Sequence, residues 1–168
     1  MPWVLRDVVA GDDVLEIGPG PGLTTDSLRY WAPKLTAIEI DPALARTLRV
    51  RMTGTNVEVV TGDATAMPFV DGRFSSVVSF TMLHHVPSAA QQDHVLSEVH
   101  RVLRPGGTFA GSDSTGSFVF RLAHLFDTMV IVDPDGFGTR LEAAGFADAD
   151  VMQAERAFRF RATRPRAV

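Results

Sequence analysis

The chain contains no cysteine, which excludes disulfides, thiolate metal ligands and thiol nucleophiles. It needs no oxidising compartment, and a cytoplasmic setting is the expectation. Long apolar runs are also missing, since none reaches the roughly 18 residues that would suggest a bilayer span. The opening stretch carries Asp7, Asp12 and Asp13 where a secretory leader needs an uninterrupted apolar core, so no membrane is expected as a partner. Positive charge is not in excess. Sixteen basic against twenty acidic side chains leave a formal charge of −4, which argues against a broad phosphate-binding face. No internal repeat, low-complexity tract or linker-like stretch divides the chain. With 45% hydrophobic and 21% charged positions, it reads as a single globular domain over residues 1–168.

Apolar periodicity switches between two and nearly four, the sign of strands alternating with helices. Residues 13–17 and 35–40 are short apolar runs read as buried strands. Residues 23–31 between them read as a helix stopped by Ala32-Pro33. Asp41-Pro42 is a helix start, an N-cap carboxylate followed by proline at the first helical position. Leu44, Leu48 and Met52 follow at four-residue spacing, and Gly54 closes that helix. Residues 56–60 and 74–80 read as the third and fourth strands. Ser88 with Gln91 resembles a capping box. Val95, Leu96, Val99, Val102 and Leu103 then make one helical face, which Pro105-Gly106-Gly107 is expected to stop.

Residues 107–113 give a fifth strand, residues 135–145 a helix, and residues 148–155 and 156–164 two successive strands. In the last of these, Phe158, Phe160 and Ala162 alternate with Arg159 and Arg161, the period of a strand with unlike faces. The expected fold is α/β: a doubly wound, Rossmann-like, mainly parallel seven-stranded sheet with a C-terminal antiparallel hairpin.

The most informative stretch is Val14-Leu15-Glu16-Ile17-Gly18-Pro19-Gly20-Pro21-Gly22, where a strand ends, glycines alternate with prolines, and a helix begins. Glycine permits positive φ and a close approach by ligand atoms. The helix start offers unpaired N–H groups, and in open α/β sheets the crevice beyond the strands' carboxyl ends takes ligands. The G-x-G-x-G spacing departs from G-x-G-x-x-G, the dinucleotide fingerprint that seats a pyrophosphate. An acid before the first glycine, with this shorter spacing, resembles the first motif of the class I S-adenosylmethionine (SAM)-dependent methyltransferases. The resemblance continues in order through Glu39 in AIEIDP and Thr61-Gly62-Asp63-Ala64. It then takes in Phe74-Ser75-Ser76-Val77-Val78-Ser79, Leu83-His84-His85-Val86 and Leu103-Arg104-Pro105-Gly106-Gly107. It spans residues 14–107, and the closing strand pair suits it.

That resemblance implies SAM as cofactor and in-line transfer of its sulfonium methyl group. Gly18, Gly20 and Gly22 then form the loop beneath the cofactor. Glu39 accepts hydrogen bonds from both ribose hydroxyls, with Ile40 beside it. Asp63 meets the adenine amino group and the Ala64 N–H meets the ring, while Ser79 belongs to the fourth-strand motif. Glu16 either orders the glycine loop or lies near the cofactor's amino group. No catalytic residue is obligatory, because the cofactor brings the reactivity and positioning contributes up to roughly 7–11 kcal/mol. His84 and His85 are read either as packing or capping residues or as a base. Asp113, ending the fifth strand, either contacts the acceptor or serves a turn or cap.

The acceptor is expected to be a small molecule. Residues 118–132, apolar but for Arg121, His124 and Asp127, read as core, as a hydrophobic acceptor pocket, or as the surface of a homodimer. No metal is expected, because a solvated helix face accounts for His94, Glu98 and His100. GPGPG and AIEIDP also resemble the RNA adenine dimethylases. Enzymes that methylate a base's amino nitrogen commonly carry Asn/Asp-Pro-Pro-aromatic after the fourth strand, whereas Ser79-Phe80-Thr81-Met82 has neither Asn nor Pro. With the acidic balance, this sets nucleic acid aside as a partner. Arg156, Arg159, Arg161, Arg164 and Arg166 read as a solvated face. The few residues before the first strand imply an open site, or one closed by a second subunit. The alternative reading is a SAM- or nucleoside-binding protein without transferase activity.

Overall fold

The computed structural model describes residues 4–5, 8–115 and 129–166. In chain order, β1 (Val14–Ile17), α1 (Thr25–Trp31), β2 (Leu35–Glu39), α2 (Pro42–Arg51) and β3 (Val57–Thr61) come first. They are followed by β4 (Phe74–Phe80), a 3-10 turn (Leu83–His85), α3 (Ala89–Val102), β5 (Leu103–Ser114), α4 (Pro134–Ala143), β6 (Ala147–Gln153) and β7 (Ala157–Thr163). The strands form one seven-stranded sheet in the order β3-β2-β1-β4-β5-β7-β6. Pairing is parallel from β3 through β5, and β7 runs antiparallel to both β5 and β6. This is the expected doubly wound sheet with its C-terminal hairpin. The chain winds from β1 toward β3 and then from β4 toward the other edge, so the switch in direction falls between β1 and β4. Among the described residues no helix is long and apolar enough to cross a membrane.

Helices cover both faces. Leu28 of α1 packs with Val14, Leu35 and Val78, and Ala45 and Leu48 of α2 pack with Ala37 and Val59. On the opposite face Val95, Leu96 and Val99 of α3 and Phe137 and Leu141 of α4 join Leu15, Ile17, Val77 and Phe109. The alternation along β7 places Phe158, Phe160 and Ala162 in this core. The Phe160 ring lies 4.9 Å from Phe109 and 5.0 Å from Phe137, centre to centre. Each such buried phenylalanine contributes roughly 1.5–3 kcal/mol, which fastens the hairpin to β5. Of residues 118–132, residues 118–128 lie outside the described residues, while Val132 is buried in the core.

Local signals place most element ends. Asp41 caps α2 by accepting from the N–H groups of Ala43 at 2.7 Å and Leu44 at 3.1 Å. Ser88 Oγ caps α3 by accepting from the Gln91 N–H at 3.2 Å. The end of α3 differs from expectation. The helix stops at Val102, ahead of Pro105-Gly106-Gly107, and Leu103 already pairs with Phe74 in the sheet. The Pro-Gly-Gly segment instead bulges from β5, so that the next paired residue is Thr108, opposite Ser76. A distant residue completes the helix end: Arg164 Nη1 donates to the carbonyls of His100 and Arg101, both at 3.0 Å. Arg164 is thereby a capping residue, rather than part of a solvated arginine face.

Glu16 is completely buried in the middle of β1. The Thr24 hydroxyl donates to its Oε1, and the Thr25 hydroxyl donates to its Oε2 at 2.6 Å. It therefore ties β1 to the start of α1 across the glycine loop. Burial pushes its carboxyl up from the usual 4.5, against the pull of the two hydroxyls and with a smaller push from Asp26.

Three expected outcomes follow from this packing. A Cβ at Gly111 would lie 2.0 Å from the Ser79 carbonyl oxygen and 2.7 Å from Phe160 Cζ. Gly111→Ala should therefore cost about 1–3 kcal/mol in urea unfolding. Gly138, inside α4, has only Val151 at 4.0 Å from its Cβ position, so Gly138→Ala should gain about 0.5–1 kcal/mol. For Glu16, the raised folded-state pKa means that the folded protein keeps a proton the unfolded chain has lost. That stabilisation is full below the unfolded value and drains away as pH rises through the folded one. Glu16→Gln removes the titration. Its urea midpoint relative to wild type should rise as pH climbs above the unfolded-chain value of about 4.5, and a pH-independent difference would show that Glu16 is not shifted upward by folding.

Candidate cofactor and acceptor cleft

The loop leaving β1 is shaped by contacts on both sides. Gly18 has φ +62°, its N–H donates to the Ile38 carbonyl at 2.9 Å, and a Cβ there would come within 2.2 Å of Met82 Cγ. Only glycine allows the loop to press against the turn after β4. Gly20 has φ +55° and nothing within 4 Å of its Cβ position, so its bare face opens onto the cleft. Gly22 packs on α2, where a Cβ would lie 2.4 Å from Leu48 Cδ1, and Arg51 Nη2 donates to its carbonyl at 3.0 Å.

Glu39, the last residue of β2, is only 5% exposed. Its Oε2 accepts from the Gly20 N–H and its Oε1 from the Asp41 N–H, both at 2.9 Å. One carboxylate thus joins the glycine loop to the start of α2. A carboxylate offers about four lone-pair sites, so two remain after these bonds. After β3, Asp63 Oδ1 accepts from the Thr65 N–H at 2.8 Å, which holds an exposed Asx turn. Beyond β4, Thr81 has φ 50°. This is an outlier for a β-branched residue and a strained turn of the kind that clusters at ligand sites.

These loops enclose a cleft of about 840 Å³ at the carboxyl ends of β1 to β4. Of the residues singled out from sequence, Gly18, Gly20, Glu39, Ile40, Asp63, Ala64 and His85 line it. Glu16 stands behind Thr24, and Gly22 faces α2. Ser79 is buried between β1 and β5, its hydroxyl without a hydrogen-bond partner. His84 and Asp113 are buried against each other, with His84 Nδ1 paired to Asp113 Oδ1. Leu44, which shares the four-residue spacing of Leu48 and Met52, is 38% exposed and lines the cleft, as do Leu23, Thr81 and Met82. The periodicity that marks an apolar helix face does not separate core from cleft wall. Only Gly18 hinted at Met82, through a contact that needs the fold to become visible.

Charge on the cleft wall has one sign. Glu39, Asp41 and Asp63 line it, and no lysine or arginine does so among the described residues. The wall after β4 is uncharged or apolar apart from His85: Phe80, Thr81, Met82, Val86 and Pro87. Among the described residues no cluster of three metal-ligating side chains occurs. Glu98, one of the residues weighed as a ligand, instead accepts from Arg101 Nε at 2.7 Å and from the Met67 N–H at 2.6 Å. Those bonds hold its carboxyl below the usual range, Arg101 first.

Comparison with known proteins agrees with this geometry. Residues 15–111, more than half of the chain, match the family described as a methyltransferase domain. The ubiquinone biosynthesis O-methyltransferase of Azotobacter vinelandii is 32% identical over 89% of this chain and 71% of its own length. A relative from Thermococcus onnurineus, named as a ribosomal RNA small subunit methyltransferase A, is 47% identical over 45% of this chain. The chain spans only 28% of that relative's length. In fold, the structure of a SAM-dependent methyltransferase from Methanosarcina mazei superposes with a TM-score of 0.77 at 19% identity, covering 99% of both chains. Taken with the glycine loop and the switch-point cleft, these matches show that the chain belongs to the class I SAM-dependent methyltransferases.

Proposed function

We propose that this protein binds SAM in the switch-point cleft and transfers its methyl group to a small, uncharged, largely apolar acceptor. The observation that carries this reading is the charge of the cleft wall: carboxylates toward β2 and β3, and no cation among the described residues. SAM is cationic at sulfur, which an acidic cleft favours. A polyanion such as RNA gains nothing from such a wall, because nucleic-acid affinity rests on lysine and arginine meeting phosphates.

The residues present fit the cofactor. Glu39 keeps two acceptor sites for a ribose diol while holding the Gly20 and Asp41 N–H groups. Ile40, 67% exposed on the cleft wall, offers an apolar surface for a base. Asp63 Oδ2 is available to an exocyclic amine, and the bare face of Gly20 admits close approach. When bound, SAM supplies a methyl group already activated on a sulfonium sulfur. The chain's part is to hold the two reactants in line and to exclude water, worth up to roughly 7–11 kcal/mol when the alignment is good. Met82, pressed against Gly18, and the strained Thr81 fix the wall between cofactor and acceptor.

The similarity to a ribosomal RNA methyltransferase extends over 45% of the chain, whereas that to an O-methyltransferase extends over 89%. This supports the small acceptor and points to oxygen as the receiving atom. A cytoplasmic setting suits the cysteine-free composition.

Two experiments test the reading. Calorimetric titration with SAM, its demethylated product S-adenosylhomocysteine and NAD should show binding of the first two only. Glu39→Gln should weaken them about tenfold or more, because one oxygen must replace two and each charge-assisted bond is worth roughly 1.5–3 kcal/mol. Unchanged affinity would remove Glu39 from the site. Methyl-labelled SAM should then label 4-octylphenol in preference to a structured ribosomal RNA fragment. Label in the RNA alone would overturn the small-acceptor reading and leave the cofactor reading standing.

A further inference from the structure

The glycine loop is fastened at every second residue. The Gly18 N–H donates to the Ile38 carbonyl, the Gly20 N–H to Glu39, and the Thr24 hydroxyl to Glu16. Those three anchors belong to β1 and β2. The fourth, at Gly22, comes from the far end of α2. Arg51 is the last residue of that helix, and its Nη2 donates to the Gly22 carbonyl at 3.0 Å, across 29 residues of chain. The same nitrogen lies 3.4 Å from Asp26 Oδ2. A Cβ at Gly22 would overlap both the Arg51 guanidinium and Leu48, so the bare residue is what lets this side chain reach the backbone.

The needs of α1 do not account for the contact. The Gly22 carbonyl already accepts from the Asp26 N–H at 3.1 Å, so the first turn closes without Arg51. A cation is also the wrong charge for the start of a helix, where unpaired N–H groups favour an acid. Asp26 supplies that acid and offsets the mismatch. The two side chains of the ion pair are 41% and 48% exposed, a setting in which a salt bridge contributes little to stability. What Arg51 accomplishes is geometric. Glu39 joins the loop to the start of α2 through Gly20 and Asp41. Arg51 joins it to the other end of that ten-residue helix, about 15 Å further on. The helix therefore splints the loop at two points. Pro21 and Leu23, on either side of Gly22, both line the cleft.

We propose that Arg51 is a positioning residue for cofactor binding, holding Pro21 and Leu23, through the Gly22 carbonyl, in the arrangement that receives SAM. This rests on the SAM reading above and adds to it a residue that stands behind the cleft wall. Arg51 touches no ligand and acts through the backbone. A loop ordered before the ligand arrives spares binding the entropy of ordering it, so loss of the contact appears as weaker affinity. One nitrogen makes both contacts, so the guanidinium fork is not required and a lysine can take its place.

The test measures S-adenosylhomocysteine affinity by calorimetry in wild type, Arg51→Met, Arg51→Gln, Arg51→Lys and Asn56→Ala. Arg51→Met keeps the apolar stem and removes the donor, while Arg51→Gln keeps a donor on a shorter stem. Both should weaken binding about five- to tenfold, part of what a charge-assisted bond is worth. Arg51→Lys should return it to within about threefold of wild type. Asn56 is the control for an α1 that is merely looser. Its Nδ2 holds the other end of the same helix, donating to the carbonyls of Arg29 at 2.9 Å and Ala32 at 2.8 Å. Asn56→Ala should leave binding within about twofold, as a change remote from the loop. The second readout is the ¹⁵N–¹H spectrum of glycine-labelled protein. Without ligand, the Gly20 and Gly22 signals of Arg51→Met should be displaced from those of wild type. At saturating S-adenosylhomocysteine the two spectra should coincide.

Wild-type affinity in both Arg51→Met and Arg51→Gln would overturn the assignment. Equal losses in Arg51→Met and Asn56→Ala would do the same, as would no recovery with lysine. Weaker binding with the loop glycine signals unmoved would also overturn it. Failure of wild type to bind S-adenosylhomocysteine would bring down the cofactor reading itself, and the assignment of Arg51 with it.

Discussion

One carboxylate organises the cofactor end of this molecule. Where β1 and β2 leave the sheet, their following segments carry N–H groups that no strand partner can satisfy. Glu39 takes one from each side, Gly20 and Asp41, at 2.9 Å. The glycine loop and the α2 start are therefore fixed relative to each other before any ligand arrives, and the ligand need not bear the entropy of ordering them. Glu16 does the same one layer deeper, through Thr24 and Thr25. The two acids differ in what they face. Glu39 reaches the cleft, whereas Glu16 is sealed behind the loop it anchors.

Much of this was legible in the sequence because the interactions are local. Asp41-Pro42, Ser88 with Gln91, and the Phe158-Arg159-Phe160-Arg161 alternation each act within a few residues, and each appears in the fold as read. The glycine loop was legible for a related reason, since a strand end, the bare residues and a helix start are contiguous. What escaped depends on partners far along the chain. Arg164 completes α3 from more than 60 residues away. Ser75 ties β4 to the segment before β1, its hydroxyl directed at the carbonyls of Ala10 and Asp13 at 3.0 and 2.8 Å. Leu44 shares the spacing of Leu48 and Met52 yet lines the cleft, because it stands in the first turn of α2, while Ala45, Leu48 and Met52 carry the helix's contact with the sheet.

The same division runs through the cleft. Its β1–β3 side is built from short-range devices, namely the glycine loop, the Glu39 bridge and the Asp63 turn. Its β4–β5 side is built from contacts 29 to 38 residues apart, Asp113 with His84 and Gln92 with Val130. A short-range device survives almost any change elsewhere in the chain, whereas a long-range network can be rebuilt only together with the elements that carry it.

Relatives that share different lengths of the chain bear different names. A ribosomal RNA methyltransferase is matched at higher identity over a shorter span, and a ubiquinone biosynthesis O-methyltransferase at lower identity over nearly the whole domain. Binding one cofactor constrains a compact, local set of residues. Fold and cofactor are the shared property of such chains, and the turn after β4, where Thr81 is strained and Met82 meets Gly18, forms the largely apolar side of the cleft. In this protein that turn offers a largely apolar wall with one exposed imidazole, beside carboxylates on the β2 and β3 loops and no lysine or arginine among the described residues.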